Sequence, residues 1–205
     1  MTAQDLLWYV GYGSNTLPAR LGAYLGGASP DSRFGAHTAG TDLDVPTDRR
    51  WLTIPHALYF AGVSARWGGS PAFVSLDAEP GCTTVARAYL VTRAALDHVA
   101  AAENAQSTST LSTSDAVPAA VGSWSRLPVE PSMESHRGKY DALLRLADID
   151  GLPAMTLTSS RVRERGEPSQ RYLDVIREGL RDNPFGLDVE NYLDTAVTRS
   201  ATVTR

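Results

Sequence analysis

LLWYVGYGSNTLPARLGAYLGG, residues 6–27, is the stretch on which the reading of this chain turns. Its opening residues, LLWYVGY (6–12), are apolar or aromatic without alternation, the mark of a strand buried on both faces. The run breaks at Gly13-Ser14-Asn15, and LPARLGAYL (17–25) follows at once as a short helix. Pro18 suits its first turn and Gly26-Gly27 closes it. A strand that passes through Gly, Ser and Asn into a helix leaves several backbone N–H groups unpaired in one small concavity. With the helix dipole behind it, such a nest suits a carboxylate, a phosphate or a developing oxyanion. Ser14 and Asn15 add side-chain donors, and Gly11 and Gly13 let a ligand come close. The same residues also fit a plain strand–helix turn in which Ser14 and Asn15 only cap the helix. The spacing matches neither a dinucleotide fingerprint nor a P-loop with its lysine, which argues against nucleotide binding.

Working outward, the next predicted strands are ALYFAGV (57–63), PAFVSL (71–76) and TTVARAYLVT (83–92), with RWGGSP as the turn between the first two. Residues 28–53 read mostly as loop with room for one short strand. Thr92 caps a helix over 93–105. YDALLRLADI and LPAMTLTSS form a hairpin turning at Asp150-Gly151. Two helices, PSQRYLDVIREGLRDN and DVENYLDTAVTRS, finish the chain. Between about 106 and 135 lies a Ser/Thr/Pro-rich excursion without periodicity, expected to be exposed and mobile. No repeat or linker divides the 205 residues, so the expectation is a single α+β domain of five or six strands with helices at its edges.

Composition narrows the function classes. Hydrophobic residues make up 42% and charged residues 20%, enough for a packed core. A formal net charge of -4 argues against a broad nucleic-acid surface. Lys139 stands alone among arginines, which reads as genomic compositional bias. Cys82 is the only cysteine, so neither an internal disulfide nor a thiolate metal cluster is available, and a reducing cytoplasm is the expected location. The N-terminus lacks a basic region ahead of its short apolar run, so neither a signal peptide nor a membrane span is expected.

Glu103 is the second candidate for chemistry. On the 93–105 helix the apolar face runs through Leu96, Val99 and Ala100 and then meets Glu103, where a core residue belongs. Near the helix C-terminus the dipole also disfavours negative charge, and both conditions suit a carboxyl group to general acid–base work. A frayed last turn with Glu103 in solvent is the alternative. Asp97 falls off the stripe and reads as solvated. None of the four histidines, His37, His56, His98 and His136, pairs with another at a metal-ligand spacing, so no metal site is expected. No G-x-S-x-G elbow supports Ser14 as a nucleophile. Trp67-Gly68-Gly69 reads as a packed turn that can also wall a pocket. Arg66 and Arg87 have the chemistry to bind a carboxylate, but charged strand edges and solubility account for most such arginines, and Tyr172 reads as a core aromatic with its hydroxyl paired.

Taken together, these residues resemble the γ-glutamylcyclotransferase-like family. Trp8-Tyr9-Val10-Gly11-Tyr12-Gly13-Ser14-Asn15 resembles its aromatic strand ending in Y-G-S-N. Trp67-Gly68-Gly69 before Pro71-Ala72 resembles its W-x-G-G-x-A turn, without the spacer residue. LDHVAAAEN (96–104) resembles the helix carrying the catalytic glutamate, and Glu167-Pro168-Ser169-Gln170-Arg171-Tyr172 its P-S-x-x-Y segment. The chain departs from the family pattern at Thr16, where an apolar residue is usual, at Asn104, where glycine is usual, and in the length of the 106–135 excursion. The resemblance implies a mixed barrel-like sheet flanked by helices, one cavity and no cofactor. It assigns catalysis to Glu103 and substrate binding to Tyr12, Gly13, Ser14, Asn15 and Tyr172. It also implies a reaction, in which the free α-amine of a γ-glutamyl small molecule attacks its own γ-carbonyl, giving 5-oxoproline and the released amine. A non-catalytic small-molecule or partner-binding module on this fold, or an amide hydrolase using water, stands as the alternative. The amine partner, be it an amino acid, glutathione, a polyamine or an antibiotic intermediate, is left open, and so is the oligomeric state.

Overall fold

The structure is a computed structural model, and it describes residues 6–106, 111–129, 138–161 and 163–201. Among the described residues, eight strands and four α-helices follow in the order β1 (Leu6–Gly11), α1 (Pro18–Leu25), β2 (Arg49–Ile54), β3 (Leu58–Phe60), β4 (Ala72–Val74), β5 (Thr84–Thr92), α2 (Arg93–Glu103), β6 (Trp124–Arg126), β7 (Ala142–Ile149), β8 (Leu152–Thr158), α3 (Gln170–Leu180) and α4 (Val189–Ala201). Six strands form one sheet in the order β2-β5-β1-β8-β7-β6, while β3 and β4 pair as a separate antiparallel ribbon. Neighbours in the large sheet are antiparallel except β1 and β8, which run parallel. The sheet is mixed, as expected, but open: β2 and β6 are its two edges and no closed barrel forms.

The unbroken apolar character of β1 follows from its central place. Trp8 and Val10 enter one core layer, with Phe60, Ile176 and Leu180. Leu7 and Tyr9 enter the other, with Leu21, Leu25, Tyr89 and Leu96. Successive side chains of a strand point to opposite faces, so a strand covered on both sides needs apolar residues throughout. At Asp150-Gly151 both residues have positive φ, 51° and 75°, as a tight two-residue hairpin turn requires.

Helix α2 starts where its cap predicts: the Thr92 hydroxyl accepts the Ala95 N–H at 3.2 Å, a contact of about 1 kcal/mol. Ser169 caps α3 in the same way through Tyr172 N–H. Two local expectations change. Within the excursion, Leu111, Thr113, Ala116, Leu127 and Val129 are buried rather than exposed, because isolated apolar residues among its serines and threonines find the α2 side of the core. Asp97 is half-buried rather than solvated, and its Oδ1 accepts the Thr113 N–H at 2.7 Å, which ties this segment to α2. Residues 107–110 and 130–136 of that stretch, His136 among them, lie outside the described residues.

Candidate active site

The chain leaves β1 at Gly11 and makes a single 3-10 turn, Gly13–Thr16, before α1. Gly13 has φ +56°, and a Cβ there would stand 2.9 Å from Ala72 Cβ and 3.3 Å from the Tyr172 hydroxyl. Only glycine therefore lets the turn lie against both. Hydrogen bonding within the turn begins with Asn15 N–H to Tyr12 O at 3.1 Å, so the leading N–H groups of Gly13 and Ser14 lie outside it. The turn is pinned from the sheet by the Tyr89 hydroxyl, 2.9 Å from Asn15 O and 3.2 Å from Thr16 O.

Glu103 reaches this turn from the last residue of α2. Its Oε1 accepts Asn15 Nδ2 at 2.9 Å, and the second proton of the same amide goes to the Tyr9 hydroxyl at 2.8 Å. The carboxylate is half-buried. Of its two sequence readings, the inward one is the arrangement found. Three tyrosines gather around it, and burial above all pushes the hydroxyls of Tyr9, Tyr24 and Tyr140 well up, with the charge of Glu103 adding to the effect. They remain protonated donors across the physiological range.

A recess is lined by Tyr12, Ser14, Asn15, Glu103 and Tyr172 together with Tyr9, Tyr140 and Trp67. Five of the six residues singled out in the sequence thus meet at one place, and the sixth, Gly13, shapes the turn beneath them. The recess is small, about 20 Å³, roughly the space of one water or one polar group. It is continuous through Arg20, Tyr24, Trp67, Glu103 and Tyr140 with an outer chamber of about 350 Å³. Tyr172 is 2% exposed and both core and pocket wall: its hydroxyl accepts the Ala72 N–H at 3.2 Å, while the Tyr140 hydroxyl donates to Ala72 O at 3.0 Å. Trp67 packs on Tyr172 with ring centres 4.9 Å apart, and the Ser169 hydroxyl donates to Trp67 O. The Trp67 turn is therefore part of the pocket wall. Arg87 lies elsewhere, stacked 3.9 Å over Trp51 and paired with Asp182 at 2.5 Å.

Arg20 was not singled out in the sequence, yet it stands at the neck between the two spaces. It is 3% exposed, lies 4.1 Å over the Tyr24 ring, and donates to the Tyr24 hydroxyl and, at 2.6 Å, to His37 Nε2. A signal existed: Leu17, Arg20, Leu21 and Tyr24 share one face of α1, so the helical period puts a guanidinium inside an apolar stripe. Two buried polar atoms of this region lack a protein partner, Arg20 Nε as a donor and Asn15 Oδ1 as an acceptor. Such atoms in a native fold call for a water or a ligand.

Asn104, one of the departures noted in the sequence, is fully buried. Its Nδ2 donates to Ala100 O at 2.9 Å and Tyr140 O at 3.0 Å, and its Oδ1 accepts Tyr140 N–H at 2.9 Å. It fastens the Lys139-Tyr140 segment to the end of α2, beside Glu103. Thr16, another departure, is also fully buried and bonds Gly13 O at 2.8 Å. Among the described residues, no three His, Cys, Asp or Glu side chains cluster as a metal site would need, and no helix is long and apolar enough to cross a membrane.

His37 closes one side of the outer chamber. Burial first, then the neighbouring Arg20 and Arg66, lower its pKa from 6.5 to about 3. The folded protein thus holds His37 neutral while the unfolded chain takes up a proton below about 6.5. Stability supplied by this group is present above that value and lost as pH falls toward 3. Urea unfolding at pH 7, 5 and 4 is expected to show a smaller acid loss for His37→Asn than for the wild type. Parallel pH curves would remove His37 from the acid response.

No protein-family model and no curated protein matches the chain. Among solved structures, a γ-glutamyl cyclotransferase superposes with a TM-score of 0.53 at 16% identity, covering 94% of this chain and 88% of its own. The uncharacterized human protein loc79017 superposes with the same TM-score at 15% identity and the same coverage. At these identities the likeness is one of fold: this α+β mixed sheet is of the γ-glutamyl cyclotransferase kind.

Proposed function

We propose that the chain is a γ-glutamyl cyclotransferase, converting a γ-glutamyl small molecule to 5-oxoproline and a free amine. The observation that carries this reading is the contact between Glu103 and Asn15, which sets a half-buried carboxylate against the head of the Gly13–Thr16 turn, at the mouth of a recess. In the reaction the substrate's α-amine attacks its γ-carbonyl, a new C–N bond forms, and the old amide C–N bond breaks. Glu103 accepts the proton from the attacking amine and delivers it to the departing nitrogen, so no proton is gained or lost overall. The leading N–H groups of the turn face the tetrahedral oxyanion, and the recess has the size of one such oxygen. Arg20 Nε, an unmatched donor, and Asn15 Oδ1, an unmatched acceptor, complement the carboxylate and amine of a glutamyl head. Because the nucleophile belongs to the substrate, folding it into ring geometry supplies the proximity advantage.

The test is to incubate the purified protein with γ-glutamyl dipeptides, γ-glutamyl amines and glutathione and to assay 5-oxoproline and the released amine. One equivalent of each is expected from at least one class. Release of glutamate in place of 5-oxoproline would make the protein a hydrolase, and binding without any turnover would make it a binding module.

A further inference from the structure

The charges around the outer chamber are one-sided. Among the described residues that line it, Arg20, Arg66 and Lys139 stand against one carboxylate, Glu103, and His37 is held neutral there. Among the described residues none of the three cations forms an ion pair. Lys139, the only lysine of the chain, is 8% exposed. Burial lowers its pKa and Glu103 opposes the shift, which sets the ammonium within electrostatic reach of that carboxylate. Arg66 is anchored by backbone, donating to Phe34 O and, at 3.4 Å, to Ala36 O. The Arg66 side chain is thus held by these contacts, and Lys139 by its backbone. Lys139 lies within the segment that Asn104 fastens, and Arg66 precedes Trp67 of the pocket wall.

We propose that Arg66 and Lys139 determine specificity, by holding an acid group on the amine that departs. This rests on the cyclotransferase reading. A glutamyl head brings one carboxylate, which Arg20 at the neck can meet, and two cations farther out are then left facing whatever the γ-nitrogen carries. A departing part with its own carboxylate balances them. A polyamine or aminoglycoside would bring positive charge into a chamber already rich in it, and like charges in a partly desolvated space repel strongly.

Three substrates of near-equal size test this: γ-glutamyl-alanine, its C-terminal amide, and γ-glutamyl-putrescine. For the wild type, kcat/KM is expected to fall roughly 10–100-fold from acid to amide, the range of a charge-assisted hydrogen bond, and further for putrescine. In Lys139→Gln and Arg66→Gln the acid-to-amide ratio is expected to shrink toward unity, whereas a merely structural loss would lower both substrates alike. Equal turnover of acid and amide by the wild type, or variants that leave the ratio unchanged, would overturn the proposal while leaving the cyclotransferase standing. Calorimetric titration of the same compounds separates the two readings. Acid bound more tightly than amide, without 5-oxoproline, would refute the reaction and keep the charge selection. No binding and no turnover of any compound would overturn both.

Discussion

Glu103→Gln is expected to lower 5-oxoproline formation by about 10²–10⁴-fold, the usual contribution of a positioned acid–base group. The substitution is informative because so little else changes. Asn15 Nδ2 donates to Oε1 of Glu103, and a glutamine offers the same acceptor at the same reach. The Tyr9 contact of that amide stays, and so does the end of α2. What disappears is the ability to take a proton from one nitrogen and hand it to another. Substrate affinity, measured by titration, is expected to stay within a few-fold of the wild type, so the loss falls on kcat. Glu103→Asp gives the complementary result: it keeps the acid but draws it back by one methylene, out of reach of Asn15, and partial activity is expected. If Glu103→Gln retained a third or more of the wild-type rate, proton transfer would have to be assigned to another group.

Gly179→Ala is expected to destabilise the protein, against the ordinary preference of a helix. In α3 alone alanine is favoured over glycine by about 1 kcal/mol. A Cβ at position 179, however, would stand 2.3 Å from Thr16 Oγ1, 2.8 Å from Leu17 N and 3.2 Å from Leu17 Cβ. Leu17 N is backbone of a buried turn with no room to retreat, and overpacking of this kind costs about 1–3 kcal/mol. With contacts this short the cost lies near the upper end of that range, so about 1–2 kcal/mol remains net of the helical gain, and melting is expected to drop by roughly 2–8 °C, using about 2–4 °C per kcal/mol for a chain of this size. Thr16 sits next to Asn15, so the strain also reaches the carboxylate contact, and activity falls with stability. Adding Thr16→Ala removes one clash and restores part of the loss, a coupling that a double-mutant cycle reads directly. An unchanged or raised melting temperature for Gly179→Ala would mean that α3 docks less closely than described.

Much of the site was legible because its signals are local. The end of β1, the Thr92 cap and the period that carries Glu103 onto an apolar face all lie within a few residues of one another, and each follows from backbone chemistry. Tyr172 was marked as a pocket residue by the resemblance alone, since its helical pattern is that of a core residue, and it lies in both core and pocket wall. Arg20 and Lys139 were not found, for different reasons. Arg20 breaks a short stripe that is easily read without it, and Lys139 follows a stretch with no period at all. Strand β2 was hardly visible because it is an edge, with Arg49 and Arg50 facing solvent and only Ile54 fully buried. The order of the sheet was out of reach in principle. Pairing of β1 with β8 joins residues far apart in sequence, and no local pattern encodes a partner at that distance.

That parallel pairing also bears on how the protein is made. Strand β1 leaves the ribosome first, and its antiparallel partner β5 is complete by Thr92, but its other neighbour begins only at Leu152. At about 5–20 residues per second, the roughly sixty residues between them take some 3–12 seconds to synthesise. Throughout that interval the nascent chain carries a central strand with one open edge and apolar residues on both faces, the surface that recruits other strands. Truncations that end before β8 will aggregate rather than fold to a smaller unit.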